Sequence, residues 1–208
     1  KSLHCGFADI STLEGVQYLD SLEYLNCTGV GGLNINSIPA LPPRLIELVC
    51  SGNPLKTLPP LPKTLAHLSC LHSSLDSLPD LPASLINLDC SDNLLISLPV
   101  LPDSLKTLFC DDNFLNQLPS IPLSVQQLWC SNNKLTSLPP LIGVYDLACR
   151  SNSLISLSSL PQTMGYLDLY DNPNLLCLPP FKFIAYSMSI GNTGIKCLPN
   201  KIGHISSI

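Results

Sequence analysis

Ten cysteines stand in this chain, at positions 5, 27, 50, 70, 90, 110, 130, 149, 177 and 197. A thiol acts as a nucleophile once ionised, as a metal ligand, or as half of a disulfide. Metal binding calls for close pairs such as C-x-x-C; none occurs, so neither a metal nor a cofactor is expected. His67, Ser69 and Asp89 supply the residue types of a hydrolase. On an open strand face they would have no oxyanion hole and no shelter from water, so no enzymatic activity is expected. The informative property is the interval. From Cys50 to Cys130 the cysteines recur every 20 residues, which makes them one position of a repeat.

Composition bounds what that repeat can build. Charged residues are 12% of the 208, about half the usual share, and hydrophobic residues are 45%. Such a chain is too apolar to be disordered. Its 20 Pro leave little room for helices of three turns, and its 11 Gly exclude a collagen repeat. No apolar run is long enough for a transmembrane helix, so no membrane insertion is expected. The net charge is -5 and the ten basic residues do not cluster, which argues against a nucleic-acid partner. The amino terminus shows no charged-then-apolar leader segment.

Residues 50–70 serve as the template: Cys50, Asn53, Leu55, Leu58, Pro59, Leu61, Pro62, Leu65, Leu68, then Cys70. Leu85, Leu88, Cys90, Asn93, Leu95, Leu98 and Pro99 repeat it, as do the units at Cys110 and Cys130. The unit reads L-x-x-L-x-C-x-x-N-x-L-x-x-L-P-x-L-P-x-S, a leucine-rich-repeat signature with Cys in a Leu slot. Leu-x-Cys has period two, so Leu88 and Cys90 point inward from a short strand while Asn87, Asp89 and Ser91 point outward. A strand of three to five residues (about one rung) cannot bury its apolar face alone; stacked on its neighbours it forms one parallel sheet. Asn53, Asn93, Asn113, Asn133, Asn152, Asn172 and Asn192 are expected to form a ladder that bonds backbone groups at the turn, with Ser73 breaking it. The L-P-x-L-P stretch predicts an extended, polyproline-like back with its two Leu turned inward. The expected fold is a leucine-rich-repeat solenoid, or horseshoe, with a concave parallel sheet and little helix.

The chain reads as a single domain, 1–208, of about ten units. Residues 1–37 form irregular capping units, 38–180 regular 20-residue units, and 181–208 a C-terminal cap. Cys27 to Ile38 is longer than the template, the unit holding Ile142–Val144 is one residue short, and the strand near Met188 and Ile190 is expected to be degenerate. Leu13, Val16 and Leu19 are spaced as a short helix, with Ser11 or Thr12 as its cap and Glu14 in its first turn, which predicts a helical back for the first unit.

These L-P-x-L-P-x-S-L units resemble the repeat region of bacterial type III secreted effectors of the IpaH and YopM kind, over about residues 38–180. The resemblance implies a virulence-type protein that binds a host protein through its repeats, or the substrate-recognition arm of a larger ubiquitin ligase. It also invites comparison of Cys110-Asp111-Asp112 and Cys90-Ser91-Asp92 with the C-x-D of the ligase catalytic loop. Both lie on repeat positions, where the thiol is expected to be buried and inert. A secreted or surface adhesion protein is the third reading. Asn26-Cys27-Thr28 has the form of a glycosylation sequon, read here as chance.

Cys50, Cys70, Cys90, Cys110, Cys130 and Cys149 are therefore expected to form a buried ladder. This suits a reducing compartment, the cytoplasm or the host cytosol. Cys177 and Cys197 occupy a different slot, in adjacent units. They either pair as a disulfide or face outward as free thiols. Function should sit on the outward positions of the sheet. There Phe109, Trp129, Arg150, Tyr166 and Tyr170, with Asp89 and Asp111, form the candidate partner-binding patch of a monomer. The competing reading is that Phe109 and Trp129 only pack against each other as a cross-strand pair.

Overall fold

Alternating Leu and Cys at every rung dictate short strands, and the computed structural model shows them. It describes residues 1–5, 12–29, 35–198 and 204–205. Among these lie eleven strands: β1 Ser2–His4, β2 Tyr24–Asn26, β3 Glu47–Val49, β4 His67–Ser69, β5 Asn87–Asp89, β6 Thr107–Phe109, β7 Gln127–Trp129, β8 Asp146–Ala148, β9 Thr163–Asp168, β10 Phe183–Ser189 and β11 His204–Ile205. They stack in chain order into one all-parallel sheet. The register is in phase from rung to rung, so Leu48, Leu68, Leu88, Leu108 and Leu128 form one column. All are buried, and the cysteines from Cys27 to Cys149 form a second column at 0% exposure. Behind them Leu58 and Leu118 are buried, and Leu61, Leu81 and Ile121 pack partly covered against the core. This is the leucine-rich-repeat solenoid.

The thiols are inert by placement. The Sγ atoms of Cys50, Cys70, Cys90 and Cys110 lie against a carbonyl of the next rung, as Cys70 to Asp89 O at 3.5 Å and Cys90 to Phe109 O at 3.5 Å. Burial pushes the Cys50, Cys70 and Cys90 thiols well above their usual range, and Cys27 to about 12. The thiols of Cys90 and Cys110 are therefore held protonated, away from any ligase-like role. Cys177 and Cys197 are joined by a disulfide with 5.3 Å between their Cα atoms.

Two hydrogen-bond ladders replace the secondary structure missing from the back. In the first, each repeat Asn bonds backward; Asn53, Asn93, Asn113, Asn152 and Asn172 are buried and Asn133 is half-buried. Asn93 Nδ2 donates to Cys70 O at 2.9 Å and Cys90 O at 3.1 Å, while its Oδ1 accepts the Leu75 N–H at 3.0 Å. Asn53, Asn113, Asn133, Asn152 and Asn172 make the same pattern. The residue before each Asn has a positive φ, near 52° at Asp92, Asp112 and Asn132, where Asp and Asn are tolerated best. Asn192 falls in that turn column, with φ 53°; the ladder slot of its unit belongs to Thr193, whose Oγ1 donates to Ile190 O at 2.7 Å. The second ladder follows the L-P-x-L-P stretch. Pro62, Pro82, Pro102 and Pro122 each accept the N–H three residues on, and the Ser or Thr inside that turn donates to the preceding unit. Ser84 reaches Leu65 O at 2.6 Å, Ser104 reaches Leu85 O at 2.6 Å and Ser124 reaches Leu105 O at 2.7 Å.

Ser73 tests the first ladder from within. Its hydroxyl is buried without a partner, and the Leu55 N–H that an Asn would take turns instead to Asn53 O at 2.7 Å. Ser73→Asn restores the missing rung. It is expected to stabilise the fold by about 1–2 kcal/mol, read as a higher urea midpoint at unchanged slope; an unchanged or lower midpoint refutes it.

The ends differ from the sequence expectation. The helical back reduces to one 3-10 turn, Val16–Tyr18, entered through Gly15 at φ 99°. Thr12 Oγ1 accepts the Glu14 N–H, Val16 is buried, and Leu19 points outward, so the 13-16-19 spacing does not carry a helix. A single turn lacks the length to stabilise itself, and Gly15 breaks it. Ser11 lies outside the described residues. The strand expected to be degenerate is instead the longest, β10, with a register shift between Ile184 and Ser187.

Candidate functional site

The outward positions of the strands form the exposed face of the sheet, and its profile is set by side-chain size. Between Val49 and Asp168 one outward column reads Ser69, Asp89, Phe109, Trp129, Ala148. Phe109 and Trp129 stand side by side on β6 and β7, and their rings stack with centroids 4.2 Å apart. Phe109 thereby covers one face of the indole. On the other side the next rung carries only Ala148, and the surface drops into a depression of about 450 Å³. Trp129, Ala148, Arg150 and Tyr166 line it, together with Asp111, Asp146 and Asp168. Trp129 keeps 40% of its surface exposed.

Of the residues expected at the site, Trp129, Arg150, Tyr166 and Asp111 line the depression. Phe109 backs it, and Tyr170 holds Arg150, whose guanidinium lies 5.4 Å above the Tyr170 ring. Asp89 does not join them. It lies in the adjoining stretch of the sheet with His67, Ser69 and Phe109, and its Oδ1 accepts the Ser91 N–H. The hydrolase types are not assembled either. His67 Nδ1 is paired with Asn87 at 2.9 Å, and Ser69 Oγ with Ser51 Oγ at 2.9 Å.

The depression is acidic, and its carboxylates are held by hydrogen bonds rather than by cations. Asp111 Oδ1 accepts the Ser131 N–H at 2.6 Å. Asp168 is used at both oxygens, by Tyr170 N–H at 3.0 Å and by Tyr166 OH at 3.3 Å. Asp146 accepts from Gln127 Nε2 at 3.2 Å through Oδ2, and its Oδ1 is buried without a partner. Burial raises the Asp111 carboxyl to about 6. The Ser131 hydrogen bonds oppose that rise, and the charges of Asp112 and Asp89 add to it. Tyr166 is also pushed up, by burial and by Asp168 beside it.

Asp146, Asp168 and Ala148 were not among the residues singled out in the sequence. They stand in the same columns as those that were. The signal that could have found them is the size contrast, one Ala between Trp129 and Asp168, because a hollow is made by the small residue and not by the large ones.

Among the described residues no helix is long and apolar enough to cross a membrane. No family model matches the chain, and no curated protein sequence does. Solved structures do. The leucine-rich-repeat domain of a Shigella effector is 30% identical over 80% of this chain and 68% of its own, with a TM-score of 0.61. YopM from Yersinia enterocolitica WA-314 is 26% identical over 91% of this chain, with a TM-score of 0.61; the chain spans 46% of that protein's length. YopM from Yersinia pestis, described as a leucine-rich effector protein, shares the fold at a TM-score of 0.65, with 24% identity over 95% of this chain and 67% of its own.

Proposed function

From the premise that the chain belongs to the leucine-rich-repeat domains of bacterial effectors, a protein-interaction repeat module, we propose that it binds a partner protein of the host on its concave sheet, without catalysis, at the surface around Trp129. One observation carries the reading: an exposed indole, stacked on Phe109, forms the wall of a hollow in an otherwise regular sheet. Trp, Tyr and Arg dominate binding energy at interfaces, and a large aromatic left open on a soluble surface signals a partner. The same face carries Arg150 pre-oriented on Tyr170. The eight thiols left free in the core favour a reducing compartment, cytoplasmic or the host cytosol, in which the Cys177–Cys197 disulfide would open to two thiols.

Affinity capture from host lysate tests the proposal. The native chain is expected to retain a defined set of proteins, and the Phe109→Ala/Trp129→Ala double variant to lose them while keeping its unfolding transition. Both side chains are outward, so the core is untouched. Capture of the same set by both chains, or of none by the native chain, refutes it.

A further inference from the structure

The asparagine ladder stops one junction short of the last described unit. Asn172 donates back to Cys149 O and holds the Leu154 N–H, but Thr193 fills the next slot and its Oγ1 stays within its own unit, on Ile190 O. The Leu175 N–H that an asparagine there would take turns to Asn172 O at 3.0 Å. Ser73 leaves the same gap between intact rungs at Asn53 and Asn93, whereas among the described residues no rung follows Thr193. At this junction the chain places its disulfide. Cys177–Cys197 joins the turn segments of the two neighbouring units, 20 residues apart. The backbone ties of residues 193–198 to the unit before are an isolated parallel bridge between these two cysteines and the Lys196 N–H on Leu176 O at 3.2 Å. Ile195 packs half-buried against the core, and a Cβ on Gly194 would lie 2.6 Å from Pro173 O, so the segment sits closely on the unit it is stapled to.

The bond is also within reach. Both of its cysteines are exposed, while the eight ladder thiols are buried, so a small thiol in solution meets these two sulfurs and not the others. We infer that Cys177–Cys197 is a thiol-exchange site for a small thiol of the glutathione class, and that opening it frees residues 193–198 from the stack while the repeats before them stay folded. One small thiolate attacks either sulfur, forms a mixed disulfide and expels the other cysteine as a thiolate. A second attacks the mixed disulfide, releases the remaining cysteine and leaves joined to the first. Two small thiols are oxidised to their disulfide, the two cysteines are reduced, and the protons of the former pass to the latter. What remains is a segment with neither asparagine rung nor staple, at the end of a stack where each unit is held only by its neighbour, and such ends open locally. The clamp is closed where the surroundings oxidise thiols and open where they keep them reduced. The compartment proposed above supplies the reductant; the site itself stands apart from the concave face.

The probe is reduced glutathione on the full native chain, followed by alkylation with mass mapping and, in parallel, brief trypsin digestion. The oxidised chain is expected to show no alkylated cysteine and the treated chain two, Cys177 and Cys197, the ladder cysteines being reached only after denaturation. Cleavage after the exposed Lys196 is expected to quicken about tenfold or more on reduction, and to the same extent in Cys177→Ser/Cys197→Ser without glutathione. Cleavage after Lys182, exposed at the entry to β10, and the emission of Trp129, the chain's single tryptophan, are expected to stay as they are, which separates a freed end from an unfolding chain. A disulfide that glutathione leaves closed overturns the inference, as does alkylation of ladder cysteines in the native chain. So does an equal rate of cleavage after Lys196 in the oxidised, reduced and double-serine chains, or a rise at Lys182 that matches the rise at Lys196. The capture result for Phe109→Ala/Trp129→Ala is read separately, so either proposal can fail without the other.

Discussion

Replacing Asn113 with Ala is expected to cost about 3–5 kcal/mol of unfolding free energy, a large share of a domain's usual margin. The two amide protons of Asn113 are spread over Cys90 O, Cys110 O and Asp111 O, and its Oδ1 holds the Leu95 N–H at 3.0 Å. The carbonyls survive the change. Cys90 O keeps Asn93, Cys110 O keeps Asn133, and Asp111 O keeps the Asp92 N–H. Losing two well-placed donors therefore costs about 1 kcal/mol each, and the stranded Leu95 N–H adds about 1–3 more. Ser73 shows how the chain limits such damage, since the Leu55 N–H there turns to a carbonyl of its own unit. Asn113→Ser is accordingly expected to cost less than Asn113→Ala. Urea midpoints at matched slopes decide the matter. A loss below about 1 kcal/mol for the Ala variant would show that the ladder is decoration on a stack held by Leu and Cys alone.

That ladder was legible in the sequence because its geometry is local. A side chain three residues after an inward Cys, repeated every 20, must return to the same backbone groups in each unit. The strands were legible for the same reason, since period two in Leu68 and Cys70 permits only one face to be buried. What escaped had a different physical character. Ser84, Ser104 and Ser124 belong to the repeat, yet a hydroxyl beside Pro reads as ordinary turn chemistry until the preceding unit's carbonyl is brought beneath it. Asn192 was misplaced by one position because the tenth unit has Thr193 in the ladder slot, and Asn is also welcome at the positive-φ residue next to it. The helix expected over Leu13–Leu19 had the right spacing but too few residues to outweigh Gly15. The aromatic part of the site was visible as residue types in columns. The hollow was not, because it arises from the shortfall at Ala148, and from Phe109 leaning on one side of Trp129 and not the other.

The short unit between β7 and β8 holds the second large effect. It lacks one residue, and Gly143 stands where Ser84, Ser104 and Ser124 stand in the regular units. Their hydroxyls reach a carbonyl of the unit before; at Gly143 the backbone itself closes the distance. A Cβ there would overlap the Leu123 carbonyl oxygen and would lie 3.2 Å from the Val125 carbonyl. Both obstacles are backbone, so no side-chain rotation relieves them. Gly143→Val must therefore lift the turn before β8 off the turn before β7. Overpacking of this kind costs about 1–3 kcal/mol where side chains can give way, and the upper end is expected here. The consequence is larger than the energy suggests. Each rung touches only its neighbours, so a single weakened interface uncouples the units on its two sides. The variant is expected to unfold in urea in two steps, with the units before β8 holding at the higher midpoint, since they keep both hydrogen-bond ladders. Hydrogen exchange should quicken first at Tyr145 and Asp146, whose N–H groups both bond across this junction to Gln126 O. Ile142→Ala, next door but 72% exposed, is the matched control and should leave one transition. A single transition with an unmoved midpoint in Gly143→Val would mean that the close approach is not what permits the short unit.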